Sequence, residues 1–402
     1  MSFPHGLRRH WALVVPLIFG MISACLPAEP MRVNQTQVPP PAPASTRTIP
    51  SPSATPTSPP DYGENYQAIQ LAWFYKPPAN NDLQAVARNY STIILTRMDE
   101  GQRDELQTLG VKAPILQYLL FGEIQNPGSC SRQPRHDQVA DQVNDFCSLT
   151  QQHEDWFLRD IFDRRIAYDL GYTIMDPGSE GWRSFWLERA RVSQEQLGWQ
   201  GVFLDNVEAS LDKRLQYGGI PKNYLDNASY QAAIEDNLRF LYVNYFRPNG
   251  RPLLANIISL NDPAVWFRYL QYLDGAMIEN FAVGWHSRYE SVAAWELQLN
   301  IAEKTQALGK TVILVAQGTE SDGTLEAFAL ASYLLVNNGK AYFRYTNDQA
   351  YDENWMYDNY GVDLGRPLGT RYKVGDTWKR DFENGAVSVN PTSHAAKIDV
   401  LR

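Results

Sequence analysis

Two short apolar runs in this sequence end on a carboxylate: GVFLDN (201–206) closes on Asp205, and GAMIEN (275–280) closes on Glu279. Burying such a charge alone costs several kcal/mol, so each must meet a partner or open onto a cavity. A shared water-filled mouth satisfies both. Paired carboxylates are the equipment of glycosidic hydrolysis, one serving as nucleophile or base and the other as general acid, which makes Asp205 and Glu279 candidate catalytic residues. Either could instead accept a hydrogen bond from a neighbouring Arg or Tyr and shape the mouth. Polar and aromatic residues at the ends of other runs are candidates for substrate binding: Trp73, Tyr75, Arg97, Asn206, Asn256 and Gln317. Glu208 and Asp176 are further acids on adjoining loops, and Trp285 follows the Glu279 run. The rings of Trp73, Tyr75 and Trp285 suit stacking on a pyranose or belong to the core. Arg97 would orient a carboxylate or a charged sugar group, or form an ion pair within the barrel.

Other chemistries lack their residues. The six His are scattered, without HxH or HExxH spacing, and no GxSxG, Walker loop or GxGxxG occurs. No metal or cofactor is expected. The formal charge of -9 argues against a nucleic-acid partner, which calls for a basic stripe.

The elements that must position these residues follow an α/β pattern. Short β-branched runs alternate with amphipathic stretches, the signature of a parallel sheet wrapped in helices. The runs are QAIQLAWFY, STIILTR, APILQYLL, GVFLDN, RPLLANI, GAMIENFA, TVILVAQG and AYFRYT. YTIMD (172–176) competes with GVFLDN for fourth place; GVFLDN is taken as the strand and YTIMD as a loop or accessory strand. Eight such runs predict a (β/α)8 TIM barrel over residues 62–346, with its active site at the carboxyl ends of the strands. Helical periodicity in GWRSFWLERARVSQEQL, YQAAIEDNLRFLYVNYF, SVAAWELQLNIAEKTQAL and TLEAFALASYLLVNN fills the intervals. Residues 347–402 read as a small β-rich extension packed on the barrel, with Trp378, Phe382 and Val387 facing inward and ENG (383–385) as a hairpin turn.

The amino terminus sets an address. Arg8, Arg9 and His10 precede an apolar run too short to span a bilayer, and Ile22, Ser23, Ala24 and Cys25 resemble a bacterial lipobox. Residues 1–24 are thus expected to be a lipoprotein signal peptide, with lipidation of Cys25. Residues 25–61, rich in Pro, Ser and Thr, form a disordered tether in this reading. The remaining cysteines, Cys130 and Cys147, would pair in an oxidising compartment or stay as free thiols. Such a chain is expected to be exported, lipid-anchored to the outer face of a bacterial membrane and monomeric, with a polysaccharide or oligosaccharide as its substrate.

The segment GVFLDNVE, preceded by MDPGSEGWRSFWLER, and the closing WKRDFENGAVSVNP resemble glycosyl-hydrolase-like family 15. These barrel proteins are akin to endo-α-1,4-polygalactosaminidases and, more distantly, to α-galactosidase-type barrels. The resemblance covers about residues 65–400. It implies a glycoside hydrolase using a retaining mechanism, with Asp205 as the strand-four nucleophile and Glu279 as the strand-six acid/base. Relatives commonly carry Asp where this chain has Glu279. The competing expectation is a catalytically inactive carbohydrate-binding surface lipoprotein, and a wide separation of the two carboxylates would favour it.

Overall fold

The computed structural model describes residues 66–168, 171–258 and 262–401. Cys25, its leader and its tether lie outside these residues. Eight parallel strands close into a barrel: β1 (Leu71–Phe74), β2 (Tyr90–Leu95), β3 (Ile115–Leu120), β6 (Val202–Glu208), β7 (Leu253–Ile258), β8 (Gly275–Ile278), β11 (Thr311–Gln317) and β12 (Ala341–Thr346), with β12 pairing back onto β1. The competition for fourth place resolves in favour of GVFLDN. YTIMD supplies β5 (Tyr172–Ile174), which pairs antiparallel with β4 (Glu123–Gln125) outside the barrel.

Strand alternation divides the apolar residues into two cores. Ala72, Phe74, Ile94, Leu116, Phe203, Leu254, Met277, Ile313 and Val315 fill the barrel's interior. Their strand neighbours, such as Trp73, Ile93, Leu204, Ala255, Ile278 and Leu314, face outward to the helices. The helices are α1 (Leu83–Asn89), α2 (Glu100–Thr108), α3 (Asp145–Gln152), α4 (Glu180–Gln196), α5 (Asp212–Tyr217), α6 (Asn227–Leu241), α7 (Pro263–Tyr269), α8 (Val292–Ala307) and α9 (Gly323–Val336). Their starts are written locally. Asp82, Ser179, Asp226, Asp262, Ser291 and Asp322 each accept a first-turn backbone N–H, satisfying donors that the helix itself cannot.

A two-stranded hairpin of β9 (Val283–Gly284) and β10 (Arg288–Tyr289) stands over the mouth beyond β8. After β12 the chain forms an antiparallel sheet of β13 (Tyr372–Val374), β14 (Thr377–Phe382), β15 (Gly385–Asn390) and β16 (Ala395–Val400), which packs on α9. Phe382 and Val387 are buried there, and Trp378 is half-buried. Cys130, in the polar insert after β4, and Cys147 of α3 form a disulfide with Cα atoms 5.6 Å apart. Among the described residues no helix is long and apolar enough to cross a membrane.

Candidate active site

Inward parity carries polar residues upward from the apolar interior. Phe203 and Asp205 share a face of β6, Leu254 and Asn256 share a face of β7, and Glu279 follows Met277 just past β8. The three polar side chains meet. Asn256 Nδ2 donates to Asp205 Oδ1 at 3.1 Å and to Glu279 Oε2 at 2.8 Å. One nitrogen therefore ties the two carboxylates together, and those two oxygens lie at most about 6 Å apart.

Their surroundings differ. Asp205 also accepts from the Tyr118 hydroxyl at 2.5 Å and from the backbone N–H of Asn206 at 2.8 Å. Glu279 accepts from the Tyr351 hydroxyl at 2.9 Å, and Gln317 Nε2 donates to its backbone oxygen at 2.8 Å. Among the described residues no cation touches Glu279. Burial, and then repulsion from Asp205, push its carboxyl up from the ordinary 4.5 to about 7, against the pull of Asn256, Tyr351 and, more weakly, Lys213. Tyr75 lies below the pair, its ring packed edge-on against those of Tyr118 and Tyr351 at centroid distances of 4.8 and 5.2 Å. Arg344 fixes the loop that bears Tyr351 by donating to the carbonyls of Tyr351 and Glu353 at 2.8 and 3.2 Å.

The β6–β7 register slips between Leu204 and Val207, a bulge that sets two residues, Asp205 and Asn206, against Asn256. Asn206 takes a left-handed backbone, φ 56°, a conformation Asn tolerates better than most residues. The extra residue reverses the parity of the rest of the strand. Val207 turns outward to the helices, and Glu208, 1% exposed, opens onto the mouth. A cleft of about 620 Å³ joins Glu208, Asn256, Glu279, Asn280 and Trp285 with Lys213 of α5. Trp285, on the β9–β10 hairpin, is 43% exposed and presents its ring there.

The other predicted residues separate into supports and outsiders. Asn206 bridges Glu123 and Lys213, at 3.3 and 3.1 Å, instead of facing the cleft. Trp73 is not a stacking platform: parity with the inward Ala72 and Phe74 turns it to the helices, where it has no exposure and packs against Tyr90. Arg97 orients neither Asp205 nor Glu279. It pairs with Asp141 of the disulfide-bearing insert and lines a separate cavity of about 190 Å³ beside α4. Asp176 likewise does not line the cleft: it accepts from Tyr224 and, at 2.8 Å, from Asn223, both in the segment between α5 and α6, and from the Gly178 N–H of its own turn at 2.9 Å. A cavity of about 850 Å³ lies at the opposite end of the barrel, against the amino ends of β1 and β2, with neither carboxylate in its walls.

Sequence reading passed over Tyr351, Glu123, Lys213 and Arg214. Each lies in a segment that follows a barrel strand at its carboxyl end, which is the one signal that could have found them. Arg214 and Glu123, both nearly unexposed, pair at 3.4 Å, and Arg214 Nε donates to the Tyr230 hydroxyl at 3.2 Å. No group of three or more His, Cys, Asp or Glu among the described residues is arranged to hold a metal ion.

A closed parallel barrel with two carboxylates at the carboxyl ends of its fourth and sixth strands defines a glycoside hydrolase of the TIM-barrel class. The chain belongs to hypothetical glycosyl hydrolase family 15, whose model matches residues 112–386. Similar solved structures include the glycoside hydrolase domain of PelA from Pseudomonas aeruginosa, 16% identical with a TM-score of 0.48, covering 72% of this chain and 97% of that one. The noncanonic maltogenic α-amylase AmyB from Thermotoga neapolitana is 9% identical with a TM-score of 0.43, covering 81% of this chain and 86% of that one. The α-amylase of Geobacillus thermoleovorans is 11% identical with a TM-score of 0.42, covering 80% and 86% respectively. No curated protein sequence matches the chain.

Proposed function

We propose that this protein cleaves glycosidic bonds of an extracellular or cell-surface polysaccharide with retention of configuration, using Asp205 as nucleophile and Glu279 as general acid and then base. The observation that carries this reading is the single Asn256 nitrogen bonded to both carboxylates. Retaining enzymes hold their carboxyl groups about 5 to 5.5 Å apart, whereas inverting ones leave about 6.5 to 9.5 Å for a water. The ceiling of about 6 Å favours the closer class, and it favours a hydrolase over an inactive binding protein.

The surroundings suit the two roles. Three donors hold the Asp205 side chain in place, and in the proposed role its carboxylate attacks the anomeric carbon. As that bond forms, the bond to the leaving oxygen breaks, and Glu279 gives that oxygen its proton. Glu279 then takes a proton from water, the water oxygen bonds to the anomeric carbon, and the bond to Asp205 breaks. A carboxyl with its proton affinity raised to about 7 can serve in both half-reactions near neutral pH. The cleft and the exposed ring of Trp285 support a sugar chain as the occupant. Export, lipid on Cys25 and the tether of residues 25–61 complete the proposal, holding the barrel outside the cell within reach of a polymer.

The test is a panel of α- and β-linked galactosaminyl, galactosyl and glucosyl polymers offered to the wild type and to Asp205→Asn. Hydrolysis by the wild type, with turnover lost and sugar binding kept in the variant, is the expected result. Undiminished turnover in Asp205→Asn would overturn the assignment. A first-formed product of inverted configuration, read by proton NMR, would overturn the retaining mechanism.

A further inference from the structure

The mouth holds more carboxylates than the reaction uses. Glu123, Asp205, Glu208 and Glu279 are gathered around one end of the barrel, and among the described residues Arg214 and Lys213 are the cations set between them. Arg214 is committed to Glu123. Lys213 Nζ stands 3.1 Å from Glu208 Oε1 and 3.1 Å from Asn206 Oδ1, with Tyr168 beneath it at 5.2 Å. Glu279 has only neutral donors among the described residues. We propose that Lys213 is a positioning residue: its ammonium favours the carboxylate form of the inward Glu208, and without it Glu208 would hold the proton needed for cleavage more tightly than Glu279 does.

Backbone geometry creates the need for this cation. The bulge at Asp205 and Asn206 forces Glu208 inward, where 1% exposure leaves it almost no water. An inward carboxylate without a cation would take up a proton and compete with Glu279 for the acid's role. The contact between Lys213 and Glu208 is an ion pair without good hydrogen-bond direction, because Glu208 Oε1 has no well-aligned donor. What Lys213 supplies is therefore charge. Burial raises the Glu208 carboxyl to about 7 even with the ammonium beside it; Lys213 is the first influence opposing that rise and a lesser one at Glu279. The groups facing Glu208 are Lys213 of α5, Glu123 of β4, Asp205 of its own strand, Tyr230 of α6, Tyr269 of α7 and, across the cleft, Glu279. Lys213 is the cation in this set, and no other member can replace it.

This inference rests on the assignment of Glu279 as the acid, but its test does not use turnover. The protein is labelled with 13C at the Glu side-chain carboxyls and titrated by NMR, with Glu208→Gln and Glu279→Gln assigning the two resonances. Lys213→Gln is expected to raise the Glu208 midpoint by at least about one pH unit, a tenfold gain in proton affinity. Lys213→Arg should leave it within a few tenths. A Glu208 midpoint that stays put in a folded Lys213→Gln protein overturns the proposal. Should that variant fail to fold, the reciprocal measurement decides: Glu208→Gln must lower the midpoint of the Lys213 ammonium, and an unchanged ammonium overturns the proposal equally. Activity surviving in Glu279→Gln would instead defeat the assignment of the acid, so the two failures are separable.

Discussion

Two buried charges in this molecule are treated in opposite ways. Arg380 of β14 is 1% exposed and sits at the carboxyl end of α9, where it donates to the carbonyls of Leu334, Leu335 and Asn337 at 3.2, 3.3 and 2.8 Å. It also donates to the Gly369 carbonyl at 3.0 Å and to the Asn338 side chain at 2.6 Å. Its positive charge meets carbonyls that the helix leaves unpaired, at the negative end of the helix dipole. Glu279 has no such welcome: its closest charged neighbour in the mouth is another carboxylate, and only neutral groups donate to it among the described residues. The first arrangement locks the C-terminal sheet to the barrel. The second leaves a buried carboxyl without a cationic partner, which is the condition the proposed acid needs.

That contrast can be broken at its strongest point first. Asp205→Asn should lower turnover by about 10⁴-fold or more, measured on whichever polymer the wild type cleaves, because the attacking charge is gone while the shape remains. Glu279→Gln should cost about 10² to 10⁴-fold in rate through loss of general acid–base catalysis. The same change should stabilise the fold. Folding raises the Glu279 proton affinity from the ordinary 4.5 to about 7, so its contribution to stability is fully present below about pH 4.5 and is lost as pH rises through about 7. At pH 8 the wild type therefore carries a destabilising buried charge that the amide removes, a gain of about 1 to 3 kcal/mol in urea unfolding. A Glu279→Gln protein less stable than wild type at pH 8 would count against the contrast. Arg380→Met should do the reverse, destabilising by about 3 kcal/mol at every pH from 5 to 9 because several buried carbonyls lose their donor, while the pH profile of cleavage keeps its shape. Trp285→Ala should have the smallest effect, raising KM roughly tenfold, about 1.4 kcal/mol, with little change in the thermal transition, since Trp285 is 43% exposed.

Much of the architecture was legible in the chain. The eight strand runs, the fourth place of GVFLDN and the β-rich end derive from period-two apolar patterns and from the turn residues between them. The pairing of an inward Phe203 with Asp205, and of Met277 with Glu279, comes from the same alternation. Alternation would also have turned Trp73 outward, since it stands between the inward Ala72 and Phe74. Attention to its chemistry alone placed it at the mouth. Tyr351 escaped because it lies past residue 346, where the barrel was expected to end, although the loop after the eighth strand opens on the same face.

The sequence by itself determined which residues reach the carboxyl end of the barrel, because strand periodicity is local and is written every second residue. Only the tertiary structure decided who meets whom there. Asn256 and the carboxylates it joins are 51 and 23 residues away along the chain, and their meeting depends on the tilt and register of separate strands. Arg97 and Asp176 were captured by loops whose course no local pattern records. The inward turn of Glu208 hangs on a one-residue bulge, which reverses parity without leaving a mark in the apolar pattern.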